Sequence, residues 1–179
     1  MTEMLFAGVS LVSNAYFSPC RKWRYFLHRV WAPEEQFLLV IGLNPSTADD
    51  LQPDPTVTRC INFAKRWGFG GLIMMNSFAI RGTDPKVLKK VTDPVGPEND
   101  YWLRVMTADA QVGRILLAWG NHGLLFNRQE QVLTLIRPHT EPVCFGVTKE
   151  AAPRHPLYLK NETKVEFFSR TQSLLREPK

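Results

Sequence analysis

The run from Phe37 to Asp50, F-L-L-V-I-G-L-N-P-S-T-A-D-D, constrains the fold more than any other part of the chain. Its first five residues are apolar and rich in branched side chains, which is typical of a strand buried on both faces of a sheet. Gly42 then permits a close backbone bend, and Asn44 begins a turn. The run predicts a central strand whose carboxyl end forms a ligand-binding crevice, as in other open α/β sheets. An ordinary Asn-Pro turn after a strand is the alternative.

Buried strands alternate with helices along the rest of the chain. The predicted strands cover 37–41, 72–75, 114–119 and 142–147, and the predicted helices cover 55–67, 85–91, 98–110, 124–137 and 166–175. The alternating residues 21–31 predict a further antiparallel or edge strand, and residues 1–20 predict a short strand or loop. This order predicts an α/β fold, a single-domain three-layer αβα sandwich over 1–179 with a mostly parallel four-stranded central sheet. In the helix over 98–110, we expect the inward-facing side chains to be Tyr101, Trp102, Val105 and Met106.

Length and composition limit the class of protein. The chain has 179 residues, 44% of them hydrophobic and 22% charged, as expected for one globular domain. No apolar run approaches the length of a membrane span and the first 15 residues lack the pattern of a signal peptide, so we expect a cytoplasmic location without membrane contact. The formal charge of +5 makes polyanions plausible partners.

Cysteine spacing and the absence of nucleotide-binding motifs argue against cofactors. Cys20, Cys60 and Cys144 lie far apart, which favours reduced thiols over disulfides, an iron–sulfur cluster or a structural zinc site. There is no G-x-G-x-x-G after a strand and no Walker A sequence. We therefore expect neither a cofactor nor a metal, and the sequence indicates no obligatory protein partner.

Polar side chains follow three of the predicted strands. Asn44 follows the first strand, Asn76 ends the second, and His155 follows the fourth. Because the carboxyl ends of parallel strands share one edge of a sheet, we expect two amides and an imidazole to face one pocket. Each residue alone is also typical of a turn or of a structural histidine.

Three segments resemble motifs of the uracil-DNA glycosylase superfamily, in the same order along the chain. They are G-L-N-P-S at 42–46, M-N-S-F-A-I-R-G-T-D-P at 75–85 and R-H-P-L-Y at 154–158. The whole chain also resembles a bacterial and phage family, domain of unknown function 1643, through L-N-P-S-T-A-D and P-R-H-P-L-Y. The first resemblance implies a uracil-DNA glycosylase-like fold and a monofunctional DNA glycosylase that acts on duplex or single-stranded DNA.

The resemblance also implies roles for the three polar residues. Cleavage of a glycosidic bond passes through an oxocarbenium-like sugar and a departing base anion. Asn44 would position the attacking water, His155 would donate a hydrogen bond to O2 of the base, and Asn76 would read the edge of a flipped base. Asn44 and His155 are thus the predicted catalytic residues.

Further residues are assigned by their proximity to the motifs. The predicted base-binding residues are Gly42, Leu43, Pro45, Ser46, Phe63, Asn76 and Phe78, and the predicted DNA-binding residues are Arg81, Lys149, Arg154, Leu157, Tyr158 and Lys160. The two phenylalanines would form a stacking platform, although a place in the core is the alternative for each. Leu157 or Tyr158 would fill the gap that the flipped base leaves in the duplex. The cations would contact phosphates, or would only be solvated loop residues.

Ser46 occupies the position where uracil-specific members carry a tyrosine that excludes a 5-methyl group. The small side chain favours a modified or damaged pyrimidine, such as a bulky phage base, and hence a role in DNA repair or antiviral defence. A non-catalytic nucleic-acid-binding module and a nucleoside or nucleotide hydrolase are the alternatives; a protein-interaction domain has least support. The excised base, the strand preference, catalytic competence and the oligomeric state stay open. So does assistance from Asp49, Asp50 or Asp54, the last of which is also a predicted helix start.

Overall fold

A mixed β-sheet forms the centre of the protein. The computed structural model describes residues 14–46, 54–136 and 141–169. The strands within these ranges are β1 (Asn14–Phe17), β2 (Arg24–Val30), β3 (Phe37–Gly42), β4 (Gly71–Asn76), β5 (Val112–Leu117), β6 (Val143–Cys144) and β7 (Glu166–Phe167). The α-helices are α1 (Pro55–Arg66), α2 (Asn99–Thr107) and α3 (Arg128–Ile136), and 3₁₀ segments cover Pro85–Lys89, Asn121–Asn127 and Pro156–Tyr158.

The order of the strands places a crevice beside β3. The sheet runs β1-β2-β4-β3-β5-β6-β7, and β4, β3, β5 and β6 are mutually parallel. From β3 the chain passes through α1 to β4 on one side, and then through α2 to β5 on the other side. Because successive connections leave in opposite directions, a crevice opens at the carboxyl end of β3. That crevice holds the candidate site.

Helices pack on both faces of the sheet. Every residue of β3 is buried. Leu39 and Ile41 pack with α2 and α3 on one face, whereas Leu38 and Val40 pack with α1 on the other. The α1 helix begins at the cleft because Asp54 caps it, Oδ1 accepting from the backbone N–H groups of Thr56 and Val57 at 2.7 and 3.2 Å. Sheet and helices therefore form three layers.

The predicted α/β class is confirmed, but the predicted four-stranded sheet is wrong, because the described part of the chain contains seven strands. Antiparallel pairing of β1 with β2 and of β2 with β4 extends one side, and β7 pairs antiparallel with β6 on the other. The strand predicted over 142–147 is reduced to two residues. The helix predicted over 166–175 is also wrong where it is described, since Glu166–Phe167 form β7; its part from residue 170 onward lies outside the described residues, as do residues 1–13.

Two helix predictions need correction. Tyr101 was expected to face inward, but it is 55% exposed, and Leu103 occupies the core position beside Met106. The helix predicted over 124–137 begins only at Arg128, because Leu125 is extended and Phe126 has a left-handed φ of 56°. No helix in the described ranges has the length and apolarity that a membrane span requires.

Candidate active site

A cleft of about 730 Å³ opens at the carboxyl ends of β3 and β4. Asn44, Asn76 and His155 all line this cleft. They come from the turn after β3, the last position of β4 and the segment after β6. The structure thus brings together the three polar residues on which the expected pocket depends.

The side-chain amide of Asn44 has a fixed orientation. Nδ2 donates to the carbonyl of Gly82 at 2.7 Å and more weakly to that of Pro45 at 3.3 Å. Carbonyls only accept hydrogen bonds, so the NH₂ end must face them. Asn44 therefore directs Oδ1, an acceptor, to its remaining open side, where it can hold a water molecule in the cleft.

The amide of Asn76 is buried and incompletely paired. Asn76 is 2% exposed, and its Nδ2 has no hydrogen-bond partner among the residues that the structure describes. Burying an unpaired donor costs about 1–3 kcal/mol. A ligand that offers an acceptor would remove this cost, so the amide is suited to recognising a planar polar molecule.

Two side chains hold the backbone at this end of β4. Asn99 Nδ2 donates to the carbonyls of Asn76 and Ser77 at 3.1 and 3.2 Å, and Arg128 Nε donates to the Ser77 carbonyl at 2.6 Å. Arg128 is itself buried and forms an ion pair with Asp100. Residues from α2 and α3 thus fix the backbone that carries the Asn76 side chain.

The imidazole of His155, which lines the cleft, is anchored at one of its two nitrogens. Its Nδ1 accepts from the backbone N–H of Leu157 at 3.3 Å. Burial lowers the pKa of His155 below its ordinary value, while the Asp54 carboxylate opposes that shift. The imidazole is therefore neutral near pH 7, and because Nδ1 accepts, its proton resides on Nε2.

Asp54 adds a negative charge to the same cleft. Burial alone would raise its pKa, but the Ser46 hydroxyl, the backbone N–H groups of Val57 and Thr56 and the Thr56 hydroxyl together lower it. Ser46 Oγ interacts with the carboxylate without reaching full hydrogen-bond geometry, and it has no hydrogen-bond partner among the described residues. Asp54 is thus both the cap of α1 and a site residue. Asp49 and Asp50 lie outside the described residues.

Most other predicted base-binding residues line the cleft, but the two phenylalanines do not. The lining includes Gly42, Leu43, Pro45 and Ser46. Phe63 packs against Phe145, with ring centroids 4.6 Å apart, and Phe78 lies in a small core cluster. Both are fully buried, so the expected stacking platform is corrected to core packing. The cause is that each phenylalanine lies on the side of its segment that packs against the core.

The predicted DNA-binding residues divide into two groups. Arg154, Leu157 and Tyr158 line the cleft, and Tyr158 is 90% exposed. Lys149 and Lys160 are exposed and do not line it. Arg81 also lies outside the lining, immediately before Gly82, which belongs to it.

Arg24 and Trp119 line the cleft although the sequence did not single them out. Arg24 is 4% exposed, and Trp119 is buried with its Nε1 donating to Gln129 Oε1 at 3.0 Å. Trp119 ends a predicted strand, as Asn76 does, so the same strand-end signal could have identified it. The alternating pattern of 21–31 contains no signal that distinguishes Arg24 from its neighbours.

The fold and the cleft define an α/β protein with a concave site into which a few polar side chains are placed. No group of three or more His, Cys, Asp or Glu side chains within 14–46, 54–136 and 141–169 is arranged to hold a metal ion. A family of proteins of unknown function, DUF1643, matches residues 24–157, and the chain belongs to this family. The matched segment contains Asn44, Asn76 and His155. No curated protein and no solved structure matches the chain.

Proposed function

We propose that the protein is a monofunctional DNA glycosylase with a uracil-DNA glycosylase-like fold. It hydrolyses the N-glycosidic bond of a flipped, modified or damaged pyrimidine in DNA. The observation that carries this proposal is the buried, unpaired Nδ2 of Asn76 in the same cleft as Asn44 and His155. A donor and an acceptor on one rigid amide complement the edge of a pyrimidine.

In this mechanism Asn44 positions the nucleophile. Its Oδ1 accepts a hydrogen bond from water, while the Gly82 carbonyl holds its other end. The water oxygen bonds to C1′ of the sugar as the bond from C1′ to the base breaks, and the proton of the water passes to solvent. An amide is too weak a base to take that proton, so Asn44 acts by positioning.

His155 and Asp54 stabilise opposite charges. The electron pair of the broken bond stays on the base, and the Nε2–H of neutral His155 donates a hydrogen bond to O2, where negative charge develops. The ionised Asp54 carboxylate favours the oxocarbenium-like sugar by electrostatic attraction. Both effects are greatest when the bond is nearly broken, which is the requirement for catalysis.

The shape of the cleft supports a substituted base. A volume of about 730 Å³ is within the range that accommodates drug-sized ligands and exceeds the needs of a bare pyrimidine ring. Ser46 contributes only a small side chain to the lining. A 5-substituent therefore has room, and such a substrate fits a cytoplasmic enzyme of repair or antiviral defence.

The proposal is tested by incubating purified protein with duplex and single-stranded oligonucleotides. These carry uracil, thymine mispairs or pyrimidines with 5-substituents of increasing size, and alkaline cleavage then reports abasic sites. Asn44→Ala should lose cleavage and keep DNA binding. Asn121→Ala is the matched control, since Asn121 also lines the cleft but its Nδ2 donates to Glu150 Oε2 at 2.7 Å.

Three outcomes would contradict the proposal. Intact glycosidic bonds across the whole panel would count against a glycosylase. Salt-dependent DNA binding without any abasic product would favour a binding module of the same fold. Base release from free nucleosides with little affinity for oligonucleotides would favour a nucleoside hydrolase.

A further inference from the structure

Three cations gather on two aromatic rings beside the cleft. Arg21 and Lys22 lie in the turn between β1 and β2, and Arg81 lies in the segment after β4. The Cζ atoms of Arg21 and Arg81 are 4.1 and 5.1 Å from the centroid of the same Phe17 ring. Lys22 Nζ is 4.7 Å from the centroid of the Trp23 ring. We call Arg21, Lys22 and Arg81 the Phe17 cluster.

The backbone holds this cluster in place. Arg21 has a left-handed φ of 55°, a conformation that non-glycine residues rarely adopt. The N–H of Arg81 donates to the Lys22 carbonyl at 3.1 Å, and Arg81 Nη1 donates to the Arg21 carbonyl at 3.4 Å. These two hydrogen bonds join the turn between β1 and β2 to the segment after β4. They therefore keep the positively charged residues Arg21, Lys22 and Arg81 close to one another.

The cluster is continuous with the cleft. Arg81 precedes Gly82, whose carbonyl accepts the Asn44 hydrogen bond, and Gly82, Thr83 and Pro85 line the cleft. The exposed lysines Lys86, Lys89 and Lys90 follow in the same segment of the chain.

The two acids in this stretch have roles in backbone capping. Asp84 Oδ1 accepts from the N–H of Lys86, and Asp93 Oδ1 accepts from the N–H of Gly96, each at 2.9 Å. From residue 81 to residue 93 four cations therefore stand against two carboxylates, which favours a ligand with several negative charges.

We propose that the Phe17 cluster binds the phosphodiester backbone of DNA on one side of the base held in the cleft. This inference rests on the proposed function, because it takes the base and the backbone to belong to one DNA strand. Planar guanidinium groups match the geometry of phosphate oxygens, and stacking on Phe17 orients them before DNA binds. The cluster contributes affinity and alignment and does not touch the reacting atoms.

The test compares two double variants that remove the same charge. Arg21→Ala with Arg81→Ala disrupts the cluster. Arg114→Ala with Lys65→Ala is the matched control, since these exposed cations also lie over aromatic rings, at 5.9 and 5.2 Å, but near the opposite end of the sheet. Binding to a fluorescent duplex is measured over a series of salt concentrations, with thermal unfolding to verify that each variant is folded.

The cluster variant should bind DNA more weakly, and the slope of log affinity against log salt should decrease by about 0.9 for each phosphate that the variant no longer neutralises. The control should keep the wild-type slope. A variant with Arg21→Lys in place of Arg21→Ala should bind DNA more tightly than the cluster variant. Equal slopes in the wild type and the cluster variant would overturn the inference, as would wild-type protein that does not bind DNA.

Activity assays separate this inference from the proposed function. If the cluster determines the salt slope but the wild type makes no abasic product, the glycosylase proposal fails and the phosphate-binding surface is retained. If the wild type makes abasic product and the cluster variant keeps the wild-type slope, the glycosylase proposal is retained and the cluster is refuted.

Discussion

Gly42 and Asn76 are paired residues of the neighbouring strands β3 and β4, and the side chain of one occupies the space left by the other. A Cβ atom added to Gly42 would lie 2.9 Å from Asn76 Oδ1 and 3.1 Å from the terminal carbon of Met74. Asn76 Oδ1 can therefore occupy its position only because residue 42 lacks a side chain. The glycine thus sets the position of the amide that is proposed to read the base, without a functional group of its own.

Gly42→Ala should impair base release more than folding. The added methyl group displaces the Asn76 amide, and a misplacement of this size at a reacting site costs on the order of 100-fold in rate. Overpacking should cost about 1–3 kcal/mol of unfolding free energy. Single-turnover base release and urea unfolding measure the two effects. A variant with wild-type rates would show that the Asn76 position is unimportant.

Asp54→Asn should distinguish the role of Asp54 as the cap of α1 from the role of its negative charge. Asparagine caps a helix about as well as aspartate, so α1 should keep its stability within about 1 kcal/mol. Because the Asp54 carboxylate raises the pKa of His155, its loss should lower that pKa further. An NMR titration of the imidazole measures the shift, and base release should fall because the variant lacks the carboxylate proposed to stabilise the oxocarbenium-like sugar. An unchanged His155 pKa would contradict the electrostatic coupling.

Burial of His155 predicts how stability depends on pH. Its pKa in the folded state is below the ordinary value of about 6.5, so the unfolded chain binds more protons in the interval between the two pKa values. The unfolding free energy should therefore rise with pH up to about 6.5 and then level off. His155→Gln should reduce this rise. A part should remain, because burial also lowers the pKa of His28.

The measurement for His155 is urea unfolding at intervals from about pH 5 to 8, with the slopes of wild type and variant compared. Stability that falls with pH over this interval in the wild type, or an identical profile in His155→Gln, would contradict the prediction. Base release should stay constant from about pH 7 to 8, because the neutral imidazole, which is the proposed donor, is already the main form there.

Arg128→Met should destabilise the protein and slow base release together. It removes one of the two side-chain donors to the Ser77 carbonyl and the ion pair with Asp100, and the loss of a buried hydrogen bond to a charged group costs about 1–3 kcal/mol. Gln131→Ala is the control, since it removes a partner of Arg128 Nη1 and a donor to the Phe126 carbonyl but leaves the Ser77 contact in place. Urea unfolding should show less than about 0.5 kcal/mol for that control. Equal losses in both variants would contradict a specific role for the Ser77 contact.

Tyr158→Ala should affect activity on duplex DNA without affecting stability. The side chain is almost fully exposed, so unfolding should change by less than about 0.5 kcal/mol. If the tyrosine fills the space of the flipped base, cleavage of duplex substrate should fall while single-stranded substrate is cleaved normally. Phe167→Ala, at an exposed aromatic residue that does not line the cleft, should change neither rate. Equal losses on both substrates would exclude this role.

The centre of the fold could be predicted because its signals are local. The apolar run of β3 and the capped helix α1 follow from side chains within a few residues of one another. The β7 strand could not be predicted, because Glu166–Phe167 are strand residues only through pairing with β6, more than 20 positions earlier. The number of strands was underestimated for the same reason.

The polar part of the site could be predicted more readily than its aromatic part. Asn44 and Asn76 immediately follow or end their strands, where chain direction alone places them at one edge. Phe63 and Phe78 were assigned by proximity to motifs, but their direction depends on which side of each segment meets the core. Trp119 is the reverse of these two phenylalanines, because it was not predicted as a site residue and yet, although large and buried, it lines the cleft.

The segment from Asn76 to Pro85 carries residues for three of the proposed roles. It begins with the amide proposed to read the base, continues to the arginine proposed to hold the backbone, and includes the carbonyl that orients Asn44. Its length therefore sets the distance between the proposed base-binding site and the proposed phosphate-binding site. In the proposed glycosylase, a longer or shorter segment would shift the position along a DNA strand at which the base is released, whereas substitutions on the opposite wall, at Trp119 and Thr148, would alter which base fits the cleft and leave that spacing intact.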